Sequence, residues 1–133
     1  MDTIEFRSIG VIHSPFKECR GIPRQAVGAY ENKGRIEVFD EFSEGLKDIE
    51  GFSHIVVLFH LHKVTAFSLK ACPPWDGKEH GVFSTRSPYR PNPIGVSVVC
   101  LDRVDGNILH ISGVDMADGS PVIDIKPYIP DLN

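Results

Sequence analysis

The stretch Ser84–Gly95, STRSPYRPNPIG, places two guanidinium groups, Arg86 and Arg90, among three prolines, with Tyr89 and Asn92 between them. Proline removes backbone freedom before any ligand arrives, so side chains on such a segment can be held at little further entropic cost. Pre-set cations and amides suit a carboxylate or a phosphate. Two other readings of the stretch are a stiff linker and a polyproline ligand for SH3- or WW-type domains. A ligand segment usually sits in a polar, flexible context, whereas this one runs straight into the apolar IGVSVVCL. A rigid loop docked on the fold is the better reading.

Three further stretches carry side chains of chemical interest. Gly21–Tyr30 holds Pro23, Arg24 and Gln25, a fixed backbone followed by one cation and one amide; an ordinary surface loop would look the same. Phe59–Lys63 holds His60 and His62, which share a face if the segment is a strand. No HExxH-like spacing accompanies them, so a polar strand end beside a pocket is preferred over a metal site, and no metal is expected. Gly113–Pro130 holds Asp115, Asp118 and Asp124, acids that could grip ribose hydroxyls or simply shape a turn at Asp118-Gly119.

Elements that would position these side chains read mostly as strands. Ile4–His13, Gly34–Phe42, His54–His62, Ile94–Val104, Asn107–Val114 and the PVIDIKPYI segment carry β-branched residues, several with period-two alternation. His54–His62 is nearly continuous apolar sequence, as for a strand buried on both faces. Asp105-Gly106 between two apolar runs predicts a hairpin with a type I′ turn. Helix is scarce. SEGLKDIEGF predicts one or two turns with Ser43 as N-cap, Leu46 and Ile49 inward, and Gly51 closing. Short strands separated by turn signals predict a closed or nearly closed β-barrel with short helical turns. The long crossover helices of a parallel doubly wound sheet are missing, as is a GxGxxG fingerprint, so a Rossmann pocket is not expected.

The bulk numbers agree with one soluble domain over residues 1–133. The chain is 41% hydrophobic and 24% charged. Three widely separated cysteines, Cys19, Cys72 and Cys100, make neither a disulfide framework nor a zinc knuckle. The N-terminus lacks a signal-peptide layout and no run is long enough to span a bilayer, so a cytoplasmic address and no membrane partner are expected. A net charge of −4 argues against a protein that coats nucleic acid, while leaving room for a local basic patch.

Taken together, IGVIHSPFK, IPRQ, GFSHIVVLFHLH, GVFSTRSPYRPNPIGVSVV and DGSPVIDIKPYIP resemble, in order and over nearly the whole chain, the motifs of the TrmO family, also called TsaA-like or YaeB-like. The resemblance is to the minimal barrel, without the extra C-terminal region of bacterial members. It implies a mainly β, single-barrel, non-Rossmann methyltransferase that binds S-adenosylmethionine. It implies a homodimer with cofactor sites near the subunit interface, and N6-methylation of threonylcarbamoyl-adenosine next to the tRNA anticodon. Carried over by motif, the cofactor-contacting positions are Pro23, Arg24, Gln25, His62, Lys63, Arg86, Val96, Asp115, Met116, Ala117 and Asp118. Arg90 and Tyr89 are candidates for substrate contact. Asp118, Asn92 or a backbone carbonyl could accept from the N6 amine, and the sequence does not choose among them. The alternatives are a barrel that binds S-adenosylmethionine or a nucleotide without transferring a methyl group, and a small RNA-binding barrel with no cofactor.

Overall fold

The structure, a computed structural model, describes residues 2–17 and 32–132. Six antiparallel strands close into a barrel: β1 (Gly10–His13), β2 (Lys33–Val38), β3 (His54–His60), β6 (Ile94–Asp105), β7 (Ile108–Ser112) and β8 (Pro121–Pro127). Around the barrel they run β1-β2-β7-β6-β3-β8, and β8 pairs with β1 to complete the ring. Two short strands, β4 (Lys70–Ala71) and β5 (His80–Gly81), form a separate two-stranded sheet in the excursion between β3 and β6.

Every barrel strand sends apolar side chains inward. Ile12, Ile36, Val38, Ile55, Val57, Phe59, Val99, Leu109, Ile111 and Val122 pack with Val114 and Met116 in one core. At roughly 25 cal/mol per Å² of apolar area removed from water, this cluster supplies the main drive for closure. Ile55, Val56 and Val57 are all buried, which fits the continuous apolar run of β3. In β6, Ser97 and Val99 turn inward while Ile94, Val96 and Val98 stay exposed on the outer face.

Three local expectations need correction. The first strand begins at Gly10 rather than Ile4, and Ile4 and Phe6 lie exposed outside any sheet. The β6–β7 hairpin forms, but its two-residue loop is Gly106-Asn107, because Asp105 is already paired with Ile108. Only Gly106 has positive φ there, at 60°, which matches a type II′ turn, with glycine at the first central position, and not type I′. The SEGLKDIEGF segment is not α-helical. It makes 3-10 turns over Asp40–Leu46 and Ile49–Gly51, separated at Asp48, whose φ of 71° is left-handed. Ser43 donates to the Asp40 carbonyl (2.9 Å) instead of capping a helix, while Leu46 and Ile49 do pack against the core.

Candidate functional site

The proline-rich stretch is a docked loop. The Thr85 hydroxyl is buried and donates to the Val82 carbonyl (2.9 Å), and it accepts from the Ser87 amide (3.2 Å). The Arg90 guanidinium reaches back to the carbonyls of Thr85 (2.8 Å) and Ser87 (3.1 Å), and stacks 6.0 Å from the centre of the Phe83 ring. At its far end the Pro93 carbonyl accepts from the Leu61 amide (2.8 Å), which fixes the loop beside the end of β3. Ile94 then enters β6. Arg90, expected to contact substrate, uses one guanidinium nitrogen, Nη1, on the loop itself. Arg86 and Tyr89 are exposed, and Arg86 has no hydrogen-bond or ion-pair partner among the described residues.

Beyond β3 the chain turns at His62, whose amide donates to the His60 carbonyl (2.8 Å). The His62 ring is half-buried, and its Nδ1 is buried with no hydrogen-bond partner among the described residues. Burial first, and the neighbouring Lys63 charge second, hold the imidazole pKa below its ordinary value, so the ring is neutral. Gly119, at φ 82°, lies next to it: a side chain there would come into ordinary contact with His62 Nε2, at 3.8 Å.

Gly119 closes the loop that carries the acids. Asp115 is half-buried and accepts from the Ser97 hydroxyl of β6 at 2.5 Å. Desolvation raises its pKa, and the Ser97 bond opposes that rise. Asp118 differs. It accepts from the Ser14 amide (2.9 Å) and from Lys17 Nζ (2.8 Å), and these bonds lower its pKa. The acid pair is thus split: one carboxyl desolvated, the other tied to a cation. Met116 and Ala117 between them are buried with their side chains toward the core, so only their backbone can face a ligand. The Met116 carbonyl accepts from Ser14 Oγ (2.7 Å).

Of the positions carried over by motif, His62 and the Asp115–Asp118 loop lie near one another, with Gly119 on the side toward His62. Lys63 is exposed one residue beyond His62, and Val96 is exposed on the outer face of β6 beside inward Ser97. Asn92 is exposed, and its side chain makes no hydrogen bond among the described residues. Pro23, Arg24 and Gln25 lie outside the described residues. Sequence reasoning missed Ser97 and Ser14. A hydroxyl at an inward position of an otherwise apolar strand was the available signal for Ser97, because a buried polar group needs a partner. Among the described residues, no group of three or more His, Cys, Asp or Glu side chains is arranged to hold a metal.

The donor set fits an adenosine-bearing cofactor: an unpaired ring nitrogen on His62, a glycine cradle at Gly119, and a carboxyl at Asp115 able to accept from hydroxyls or amines.

Residues 11–133 match the family described as tRNA-methyltransferase O N-terminal domain. A probable S-adenosyl-L-methionine-binding protein of Pyrococcus abyssi is 54% identical over 96% of this chain and 70% of its own length. The tRNA (adenine(37)-N6)-methyltransferase of Escherichia coli is 39% identical over 98% of this chain and 60% of its own. The crystal structure of TrmO from Pseudomonas aeruginosa superposes with a TM-score of 0.82 at 39% identity, covering 99% of this chain and 58% of that one.

Proposed function

Because the chain belongs to the tRNA-methyltransferase O N-terminal domain family, we propose that it is an S-adenosylmethionine-dependent methyltransferase acting on the N6 amine of an adenosine next to the tRNA anticodon, the threonylcarbamoyl form being the substrate. The observation that carries this reading is the buried, unpaired Nδ1 of His62, a ring whose other nitrogen, Nε2, lies toward the glycine of the Asp115–Gly119 loop. S-adenosylmethionine supplies an electrophilic methyl group on a sulfonium sulfur. His62, Asp115 and the backbone of Met116 and Ala117 hold and orient it, with Pro23, Arg24, Gln25, Lys63 and Val96 completing the contacts. Arg86 anchors a carboxylate, that of the methionine moiety or of the threonyl group. An N6 amine is a weak nucleophile, so positioning is the main contribution of the protein. As the new bond to nitrogen forms, a proton must leave that nitrogen. Asp115, whose burial favours the protonated form, suits proton acceptance better than Asp118, which Lys17 and the Ser14 amide keep ionised.

A cytoplasmic homodimer belongs to the same reading. Its support is the apolar outer face of β6, where Ile94, Val96 and Val98 are 36%, 45% and 37% exposed. Val98→Lys should then convert a dimer to a monomer by sedimentation.

The test has two arms. Calorimetry with S-adenosylmethionine should give binding that Arg86→Ala weakens with the fold intact. Labelled cofactor incubated with total tRNA should transfer its methyl group. Cofactor binding without transfer to any RNA would favour a binding module, and no cofactor binding would sink the proposal.

A further inference from the structure

Asp118 of the Asp115–Gly119 loop also lines a concavity of about 360 Å³, together with His13, Ser14, Lys17, Lys33 and Arg35. Three cationic side chains and one imidazole face a single carboxylate there, in a chain whose net charge is −4. The strand register explains the concentration. Lys33 and Arg35 are two apart on β2 and share its outer face, while Gly34 between them is on the opposite face, where a side chain would meet the His13 carbonyl at 2.8 Å and Val114 at 2.9 Å. Arg35 is paired across the sheet with His13 on β1 and with His110 on β7, and His110 is paired in turn with Arg103 on β6. Four nitrogen-bearing side chains therefore form a row across four strands.

The pairing of these groups is uneven. His13 lies 3.1 Å from Glu37, Lys17 lies 2.8 Å from Asp118, and Lys33 lies 3.5 Å from Asp102. Arg103 and His110 share Asp105 at 2.9 and 3.0 Å. Arg35 alone in the row has no ion pair or hydrogen bond among the described residues. Lys33 also donates to the Ser112 hydroxyl (2.8 Å). The lysine pairs involve side chains 75% and 69% exposed, and such exposed pairs contribute about 0–1 kcal/mol, so a stronger anion can compete for both ammonium groups. A guanidinium without a partner among the described residues, flanked by two exposed ammonium groups, is a phosphate-binding arrangement. At about 4.8 Å per strand, the row spans roughly 14 Å, longer than one phosphate group and suited to a polyanion.

We propose that this cleft, centred on Arg35, holds the phosphodiester backbone of the RNA substrate, and that it shares Asp118 with the loop that faces the cofactor. The inference rests on the RNA-methylating function proposed above and assigns the RNA a surface. Asp118 joins the two sites: its carboxylate lines the cleft, and a side chain at its neighbour Gly119 would come within 3.8 Å of His62 Nε2.

The experiment measures two affinities on each variant of the full chain: labelled tRNA by fluorescence anisotropy across a salt series, and S-adenosylmethionine by calorimetry. Arg35→Ala should weaken tRNA about tenfold and lower the slope of log affinity against log salt by about 0.7, one phosphate on a single strand. Cofactor affinity should stay unchanged. Arg35→Lys should keep the slope while losing part of the affinity. Lys47→Ala, a charge control outside the cleft, should match the wild type. An unchanged tRNA affinity and slope in Arg35→Ala overturns the proposal. So does an equal loss of cofactor affinity, which would make the cleft part of the cofactor site. A wild-type protein that binds tRNA but transfers no methyl group fails the proposed function while leaving the Arg35 result to decide the surface. One that binds no tRNA overturns both.

Discussion

The Ser97 hydroxyl, pointing inward from β6, donates to the Asp115 carboxylate at 2.5 Å and so ties the strand that follows the proline loop to the loop that carries the acids. That bond offsets part of the desolvation of Asp115, whose pKa burial still holds above the ordinary value. In the window between that ordinary value, about 3.9, and the raised one, the native state binds more protons than the unfolded chain, so stability falls as pH rises through it. Asp115→Asn keeps an acceptor for Ser97 and removes the charge. Its urea midpoint should exceed that of the wild type at neutral pH, the difference vanishing below the ordinary aspartate range, while cofactor affinity falls. A midpoint below that of the wild type at neutral pH would show that the charge is stabilising. Ser97→Ala should move the other way, destabilising by about 1–3 kcal/mol by leaving a half-buried carboxylate without its donor.

His62 gives the opposite pH signature. Its pKa is lowered, chiefly by burial, so the native state binds fewer protons than the unfolded chain. The stability that its neutral ring contributes is complete above the ordinary value, about 6.5, and is lost as pH falls from there toward the lowered value. His62→Gln should flatten this segment of the stability profile. Adding S-adenosylmethionine to the wild type should shift the His62 ring resonances; a ring titration that ignores the cofactor would remove His62 from the site.

Gly95 faces Phe59 across the β3–β6 pair. A methyl group there would sit 2.4 Å from the Phe59 ring, which is itself buried. Gly95→Ala should cost about 1–3 kcal/mol in urea unfolding through overpacking. Phe59→Leu in the same chain should recover part of that loss, and strict additivity of the two would contradict the contact.

Arg90 clamps the loop through two carbonyls. Arg90→Lys cannot reproduce the fork geometry. The amides of Ser87 and Tyr89, which bond within the loop, should exchange faster, with a local loss of about 1 kcal/mol and little change in the global midpoint. Unaltered exchange would return Arg90 to the role of a free substrate contact.

The barrel was legible because β3, β6, β7 and β8 carry β-branched runs; which face each buries was not, since β6 leaves Ile94, Val96 and Val98 outside. The first strand was overextended because Ile4 and Phe6 satisfy a strand pattern without a neighbour to pair with; exposure is decided by the partner and not by the residue. The hairpin turn was misplaced by one residue, because Asp105-Gly106 and Gly106-Asn107 both carry turn chemistry and only the register chooses. In the site, His62 and Asp115 were legible as functional types. The split between Asp115 and Asp118 was not, because it depends on Ser14, Lys17 and Ser97, the first two more than a hundred positions away in the chain from the acid they contact. The row through Arg35 was hidden for the same reason: its members come from four strands.

The placement of β8 has a consequence for how the protein is made. It lies between β3 and β1, with five register pairs to the first and two to the second. During synthesis the first strand pair and the β3–β6–β7 meander can assemble in order, but the ring stays an open sheet with two bare edges until residues 121–127 leave the ribosome. Because β8 also leads directly out of the Asp115–Gly119 loop, the segment that seals the ring and the segment that forms the acid loop are delivered together. A nascent chain stalled before Pro121 would therefore expose sticky strand edges and lack the closed ring.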